Sequence, residues 1–417
     1  MSMRLLSFLS VTLWLFLVPV QLKAQQKLFG FHLTQKRKVV RVPFESHCNL
    51  VIVPIRINNS DTLRFILDTG VSNTIVTDPC IAEFVNQDYP RSIAINGLGS
   101  SDSVQRAQVS IGNTLHMGQV RTYEHNLLVF EKDLLQLSEF VGTRIHGLLG
   151  YELFEQFVIT IDFRRHQLVI QNPNRYRYRR SAGSRVPIRI DNKRPYLEAV
   201  KVLEGGREVP LQVLLDTGAG HALMLNTYTS DVPLPNKVIG VQLGIGLGGI
   251  VNGHLGRMEK LQVGRYELTD VLTSFPDSSS FSAKMPGRAD RQGNIGGELL
   301  RRFTVTYNYR DQYIALKPHK KLLKEKFEHD MSGMDLRAKG EEFNTYYVDR
   351  VIENSPADLA GVEKDDKILF INNTSVTNLT MTGIYKLLQR KEGKQIDLII
   401  RRGERLVFTS FILKRII

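Results

Sequence analysis

Two cysteines in 417 residues are too few for a disulfide-stapled scaffold, so the fold must rest on its cores. Cys48 and Cys80 both lie in the first third of the chain. Sequence gives no separation between them, so a bridge and two free thiols both stay open. Metal-ligand spacing is missing as well: no Cys or His pair stands at ligand distance, and the ten His are scattered. Beyond residue 20 no apolar run is long enough to span a bilayer. Acidic residues are the scarcer charge, 42 against 55 basic, which leaves a net charge of +13. Such an excess can mean nucleic acid, an anionic membrane surface or only solubility. Here it is spread out, with one local cluster, Arg175-Tyr-Arg-Tyr-Arg-Arg180. Arginine interleaved with aromatics can bind single strands. A solvated connector is the simpler reading, and no nucleic-acid partner is expected.

The N-terminus does carry an apolar run. Arg4 precedes Leu5 to Val20, and Leu22-Lys23-Ala24 offers a small residue for cleavage. This is the secretory pattern. It predicts a signal peptide over 1–24, and a soluble exported protein with no membrane span after cleavage. No cysteine follows the run, so no lipid is expected there.

What the chain has in abundance is self-similarity. GLLGYELFEQFVITIDFRRHQLVI, starting at Gly147, lies without gaps over GNIGGELLRRFTVTYNYRDQYIAL, starting at Gly293. FILDTG at Phe65–Gly70 returns as VLLDTG at Val213–Gly218. Asn96-Gly-Leu-Gly99 returns as Ile245-Gly-Leu-Gly248. Three features in one order, at nearly one spacing, read as an internal duplication. Both copies are rich in short β-branched and aromatic runs separated by Gly, Asn and Asp, which predicts an all-β pair of lobes. They span 39–172 and 185–318, with a basic linker over 173–184. Short helices are expected at Leu134–Val141 and Glu298–Phe303.

The repeated tripeptide carries the chemistry. A carboxylate at the end of an apolar strand is costly unless something needs it there. Gly70 and Gly218 permit close backbone approach, and Thr69 and Thr217 can clamp the two turns together. A pseudo-twofold axis would set Asp68 beside Asp216. Two such carboxyls share one proton, so one can activate water while the other polarises an amide oxygen. Water as nucleophile calls for no metal or organic cofactor. Gly97, Gly99, Gly246 and Gly248 read as hairpin flaps over a cleft. A phosphate loop fits less well, because no Lys-Ser/Thr follows them. Val71 and Ala219 carry no hydroxyl to stabilise a charged dyad, which predicts a mildly acidic to near-neutral optimum.

On these residues the chain resembles the aspartic peptidases, in the duplicated, single-chain form of the retropepsin-like branch, over roughly Val39 to Pro318. The family motif stands as Ile66-Leu67-Asp68-Thr69-Gly70-Val71 and Leu214-Leu215-Asp216-Thr217-Gly218-Ala219. Its second element, two apolar residues and a Gly, stands as Leu148-Leu149-Gly150. In the second copy it is Asn294-Ile295-Gly296, where Asn294 departs from the pattern, as does Gly220 where Ser is usual. The resemblance implies Asp68 and Asp216 as the catalytic pair.

The last stretch differs. Asn354-Ser-Pro-Ala-Asp-Leu-Ala-Gly361, then Lys367-Ile-Leu-Phe-Ile-Asn-Asn373, resembles a PDZ domain of the bacterial protease type, over 331–417. Such domains bind peptide C-termini in a Gly-containing loop, which here would be Gly333, Met334, Asp335 and Leu336, with Met381, Ile384 and Leu388 walling a pocket. A packing or oligomerisation module is the other reading of this domain. Together the residues predict a monomeric, exported endopeptidase, periplasmic or secreted, acting on polypeptides, with the PDZ domain recruiting or selecting substrates. A non-catalytic peptide-binding adaptor that keeps the protease fold is the alternative.

Overall fold

The computed structural model describes residues 30–34, 38–95, 99, 105–280 and 291–417, the side chain of residue 199 excepted. The signal segment over 1–24 and Gly97 lie outside them. The fold is mainly β, with half of the chain in strands.

Period-two alternation builds the first body. Along the strand Leu50–Ile57, Val51, Val53, Ile55 and Ile57 enter one core with Phe65 and Leu67. Leu50 and Ile52 turn to the other face and join Ile66 in a second core. A strand buried on both faces must be apolar throughout, and this one nearly is. Leu63–Leu67 pairs antiparallel with it and parallel with Gly147–Leu149, in the register Leu148 opposite Ile66. The later half repeats the arrangement: Arg207–Leu215 runs parallel to Gly293–Ile295, with Asn294 opposite Leu214.

One continuous sheet joins the two bodies. The strands Val39–Pro43, Val158–Asp162 and Gln167–Gln171 meet Phe303–Asn308, Tyr313–Pro318 and Ser184–Asp191. The junction is the antiparallel pair Val158–Asp162 and Phe303–Asn308, where the Thr160 and Thr306 hydroxyls hydrogen-bond at 2.8 Å. The basic stretch is short and partly packed: Arg185 lies over the rings of Tyr178 and Tyr313 at 4.7 and 5.2 Å. The helices are shorter than expected, Leu137–Val141 and Gly297–Leu300. A third, Tyr151–Gln156, was hidden in the repeat. Cys48 and Cys80 are both free thiols.

The C-terminal unit has its own core and its own sheet, in the order Met334–Lys339, Thr345–Val351, Lys367–Ile371, Gln395–Arg402 and Arg405–Ile412. Met381, Ile384 and Leu388 are buried on one face of the helix Met381–Leu388, the i, i+3, i+7 spacing of a core stripe. Among the described residues no helix is long and apolar enough to cross a membrane.

Candidate active site

Each Asp-Thr-Gly turn leaves the end of an apolar strand and is tied to the strand beside it. The Asp68 amide donates to Leu149 O at 2.8 Å, and the Asp216 amide to Ile295 O at 2.9 Å. The threonines then lock the turns to each other. Thr69 Oγ1 donates to Leu215 O, and Thr217 Oγ1 to Leu67 O, both at 2.6 Å. Each hydroxyl also accepts the other threonine's amide at 3.1 Å. All of these groups are buried, so each bond is one that water cannot replace.

This interlock brings the carboxyls over one patch of backbone. Gly70 N donates to Asp68 Oδ1 at 2.7 Å, and Gly218 N to Asp216 Oδ1 at 3.1 Å. A side chain at Gly218 would begin 2.2 Å from Asp68 Cγ, so nothing larger than glycine fits there. Asp68 is 8% exposed. Burial first, then the Asp216 charge beside it, pushes its carboxyl up to about 8 against the pull of the Gly70 amide and Arg194. At neutral pH Asp68 therefore holds a proton. Arg194 also reaches from the second body to the first turn, donating from Nε to Gly70 O at 2.8 Å.

Asp216 has a partner that Asp68 lacks. Asn294 Nδ2 donates to its Oδ2 at 2.8 Å, and Asn294 Oδ1 meets His221 Nε2 at 3.0 Å. The only sign of this in sequence is a polar residue where the repeat has Leu148. Gly220, the other departure, has a steric cause: a Cβ there would lie 2.6 Å from the Cys48 carbonyl oxygen. Below the turns, Tyr307 and Tyr309 pack on Phe154 with ring centroids 5.3 Å away. Their hydroxyls are buried without a partner among the described residues.

The strands that flank the first glycine-rich segment, Arg91–Ile95 and Gln105–Met117, pair antiparallel, and Gly99 of that segment meets the second one. Gly246 and Gly249 close the hairpin Val238–Gly246 to Gly249–Val263. Gly248, at its tip, leaves no room for a Cβ on Gly99, which would lie 2.0 Å from the Gly248 carbonyl carbon.

The predicted carboxylate loop of the C-terminal unit is differently arranged from the expectation. The amides of Gly333 and Met334 donate to Asp330 Oδ2 at 2.8 and 3.1 Å. The Leu336 amide meets Tyr385 Oη at 3.2 Å. Burial pushes Asp330 up to about 6, so at neutral pH it is ionised and fills the nest itself. Asp335, pushed up to about 6 by burial, adds a second negative charge. The groove between Met334–Lys339 and Met381–Leu388 is covered from the side of the first body. The helix Leu137–Val141 packs on that strand. The Cys48 amide donates to Thr382 Oγ1 at 2.9 Å, and Arg337 lies 5.8 Å from the Phe140 ring. Residues 333–336 thus face an internal anion, a correction to the open nest expected from sequence.

Comparison with known protein families places two segments. Residues 53–153 match a family model described as aspartyl protease, and residues 347–402 match one described as PDZ domain. The first match contains Asp68 and Leu148–Gly150 and stops short of Asp216. No curated protein matches the chain. The chain thus carries an aspartyl protease-like domain and a C-terminal PDZ domain.

Proposed function

We propose that the chain is an exported aspartic endopeptidase whose two lobes arose by internal duplication and share one cleft. The observation that carries this reading is the pair of interlocked turns, which holds two carboxyls against each other with Asp68 protonated near neutrality. Water bound between them gives a proton to the ionised carboxyl while its oxygen attacks the scissile carbonyl. The protonated carboxyl donates to the carbonyl oxygen as negative charge develops there. The resulting diol collapses as the nitrogen takes the proton that the first carboxyl received from water and the second carboxylate takes back a hydroxyl proton, breaking the C–N bond. One water is consumed, and an acid and an amine leave. An adaptor would have no use for a carboxyl held protonated at this cost.

Capture of free peptide C-termini is the weaker reading of the PDZ domain. The occupied nest and the covered groove favour a packing module fixed to the first lobe.

Digestion of a peptide library by the purified chain from Gln25 onward, with cut sites mapped by mass spectrometry, tests the proposal. The wild type should cut and Asp68→Asn and Asp216→Asn should not. Either single change should cost about as much as both, because the pair acts as a unit. A wild type that cuts nothing between pH 4 and 8, or an Asp216→Asn protein near wild-type rate, overturns it.

A further inference from the structure

The two carboxyls sit on turns of the same sequence, yet their surroundings differ at one place. Beneath the first turn the strand Gly147–Leu149 offers Leu148, apolar and buried. At the equivalent register the strand Gly293–Ile295 offers Asn294, 2% exposed. An amide side chain has one donating end and one accepting end. A carboxylate can only accept, so the NH2 end, 2.8 Å from Asp216 Oδ2, donates to it. The carbonyl end must then accept a hydrogen bond from the imidazole 3.0 Å away, which fixes His221 as the Nε2–H tautomer. Every donor in the chain His221, Asn294, Asp216 thus points toward Asp216. A proton on Asp216 Oδ2 would face an N–H.

We propose that Asn294, oriented by His221, is a positioning residue that holds Asp216 ionised, making Asp216 the base that takes the water proton and Asp68 the acid that donates to the carbonyl. This rests on the endopeptidase reading and goes further, because it assigns the two roles.

The neighbouring charges agree. His221 is kept neutral: burial lowers its proton affinity more than the Asp216 charge raises it. Among the described residues, the Arg291 guanidinium and the Tyr307 hydroxyl also face Asp216, besides Asp68. Asp68 is faced by Asp216, by Arg194 and by the Tyr309 hydroxyl. Among the described residues, Asp68 accepts a hydrogen bond from the Gly70 amide, and through the proton it holds it donates to Asp216. Asn294 is the donor that separates the pair.

The test is the pH profile of kcat/KM on a short peptide. Its acidic limb reports loss of the ionised carboxyl and its alkaline limb loss of the shared proton. A hydrogen bond to the charged form lowers a carboxyl's pKa. Asn294→Leu, which copies Leu148, should therefore move the acidic limb upward by about one to two pH units, the range of a charge-assisted hydrogen bond. The alkaline limb should stay in place. His221→Phe should move the acidic limb the same way by less, and His221→Gln, which keeps an N–H donor, should move it back. An Asn294→Leu protein that melts like the wild type and keeps its acidic limb overturns the assignment. Failure of the peptidase reading looks different, since the wild type would cut nothing at any pH. In that case the imidazole 15N shifts of His221 decide: an Nε2–H tautomer sustains the donor chain, and an Nδ1–H tautomer overturns it.

Discussion

Replacing Asp68 by Asn should make the folded protein more stable at neutral pH while abolishing turnover. Asp68 has an ordinary carboxyl value of 3.8 that the fold pushes up to about 8, by burial and by the adjacent Asp216. Between about pH 4 and 8 the folded state therefore binds a proton that the unfolded chain has released. A group raised in this way contributes stability that is full below about pH 4 and is lost as pH climbs toward 8. From pH 4 to 7 the loss spans about three units at 1.36 kcal/mol each, an upper bound of about 4 kcal/mol. Relaxation of the groups around Asp68 and Asp216 brings this to about 1–3 kcal/mol. Asn keeps an oxygen for the Gly70 amide, which lies 2.7 Å from Asp68 Oδ1, and gains an NH2 for Asp216. The variant should thus recover that amount at pH 7 and nothing at pH 4. In a body of this size each kcal/mol is worth about 2–4 °C, so the melting temperature should rise by about 2–12 °C at pH 7. Differential scanning calorimetry of both proteins at pH 4, 5.5, 7 and 8 measures it. Parallel curves across that range, or an Asp68→Asn protein that melts lower than the wild type at pH 7, would refute the reasoning.

Thr217→Val keeps the shape of the side chain but strips the donor to Leu67 O and the acceptor of the Thr69 amide. Two buried groups are left unpaired, at about 2–4 kcal/mol in guanidinium unfolding, and kcat should fall about 100-fold as the carboxyls lose their alignment; a kcat within threefold of wild type would count against the clamp. Gly142 has φ +74°, and a Cβ there would lie 2.7 Å from Met381 Cβ. Gly142→Val should lift the PDZ domain off the first lobe, seen as faster limited proteolysis between residues 319 and 331 with cleavage of short peptides retained; an unchanged digestion pattern would show that this contact does not hold the domain.

Much of the candidate site was legible because it is written in local sequence. Asp68, Thr69, Gly70 and their second copies stand at strand ends whose apolar runs are unmistakable, and the parallel strands beside them repeat with the same spacing. What sequence did not supply was anything made by long-range approach. His221 is a lone histidine until folding brings it to Asn294, 73 residues on. Arg194 reaches Gly70 across the lobes, 124 residues back. The open carboxylate loop expected at 333–336 failed for the same reason. The family pattern describes those four residues, but Asp330, just ahead of them, supplies the anion. The helix Leu137–Val141, nearly 200 residues earlier, covers the groove.

A dyad built from two identical chains places the same residue beneath each carboxyl, so neither carboxyl is favoured to hold the shared proton until substrate breaks the symmetry. A single chain that carries both turns is free of that constraint. It can keep Leu148 under one aspartate and set Asn294 under the other, at the same register of the same parallel strand pair. The cost is a buried amide, met because both of its ends are hydrogen-bonded. On the proposed assignment, the gain is that Asp216 and Asp68 are distinguished before substrate arrives, one by a donor and the other by burial. On the proposed duplication and role assignment, the break in the repeat at Asn294 is the kind of change that a symmetric pair of chains cannot make on one side alone.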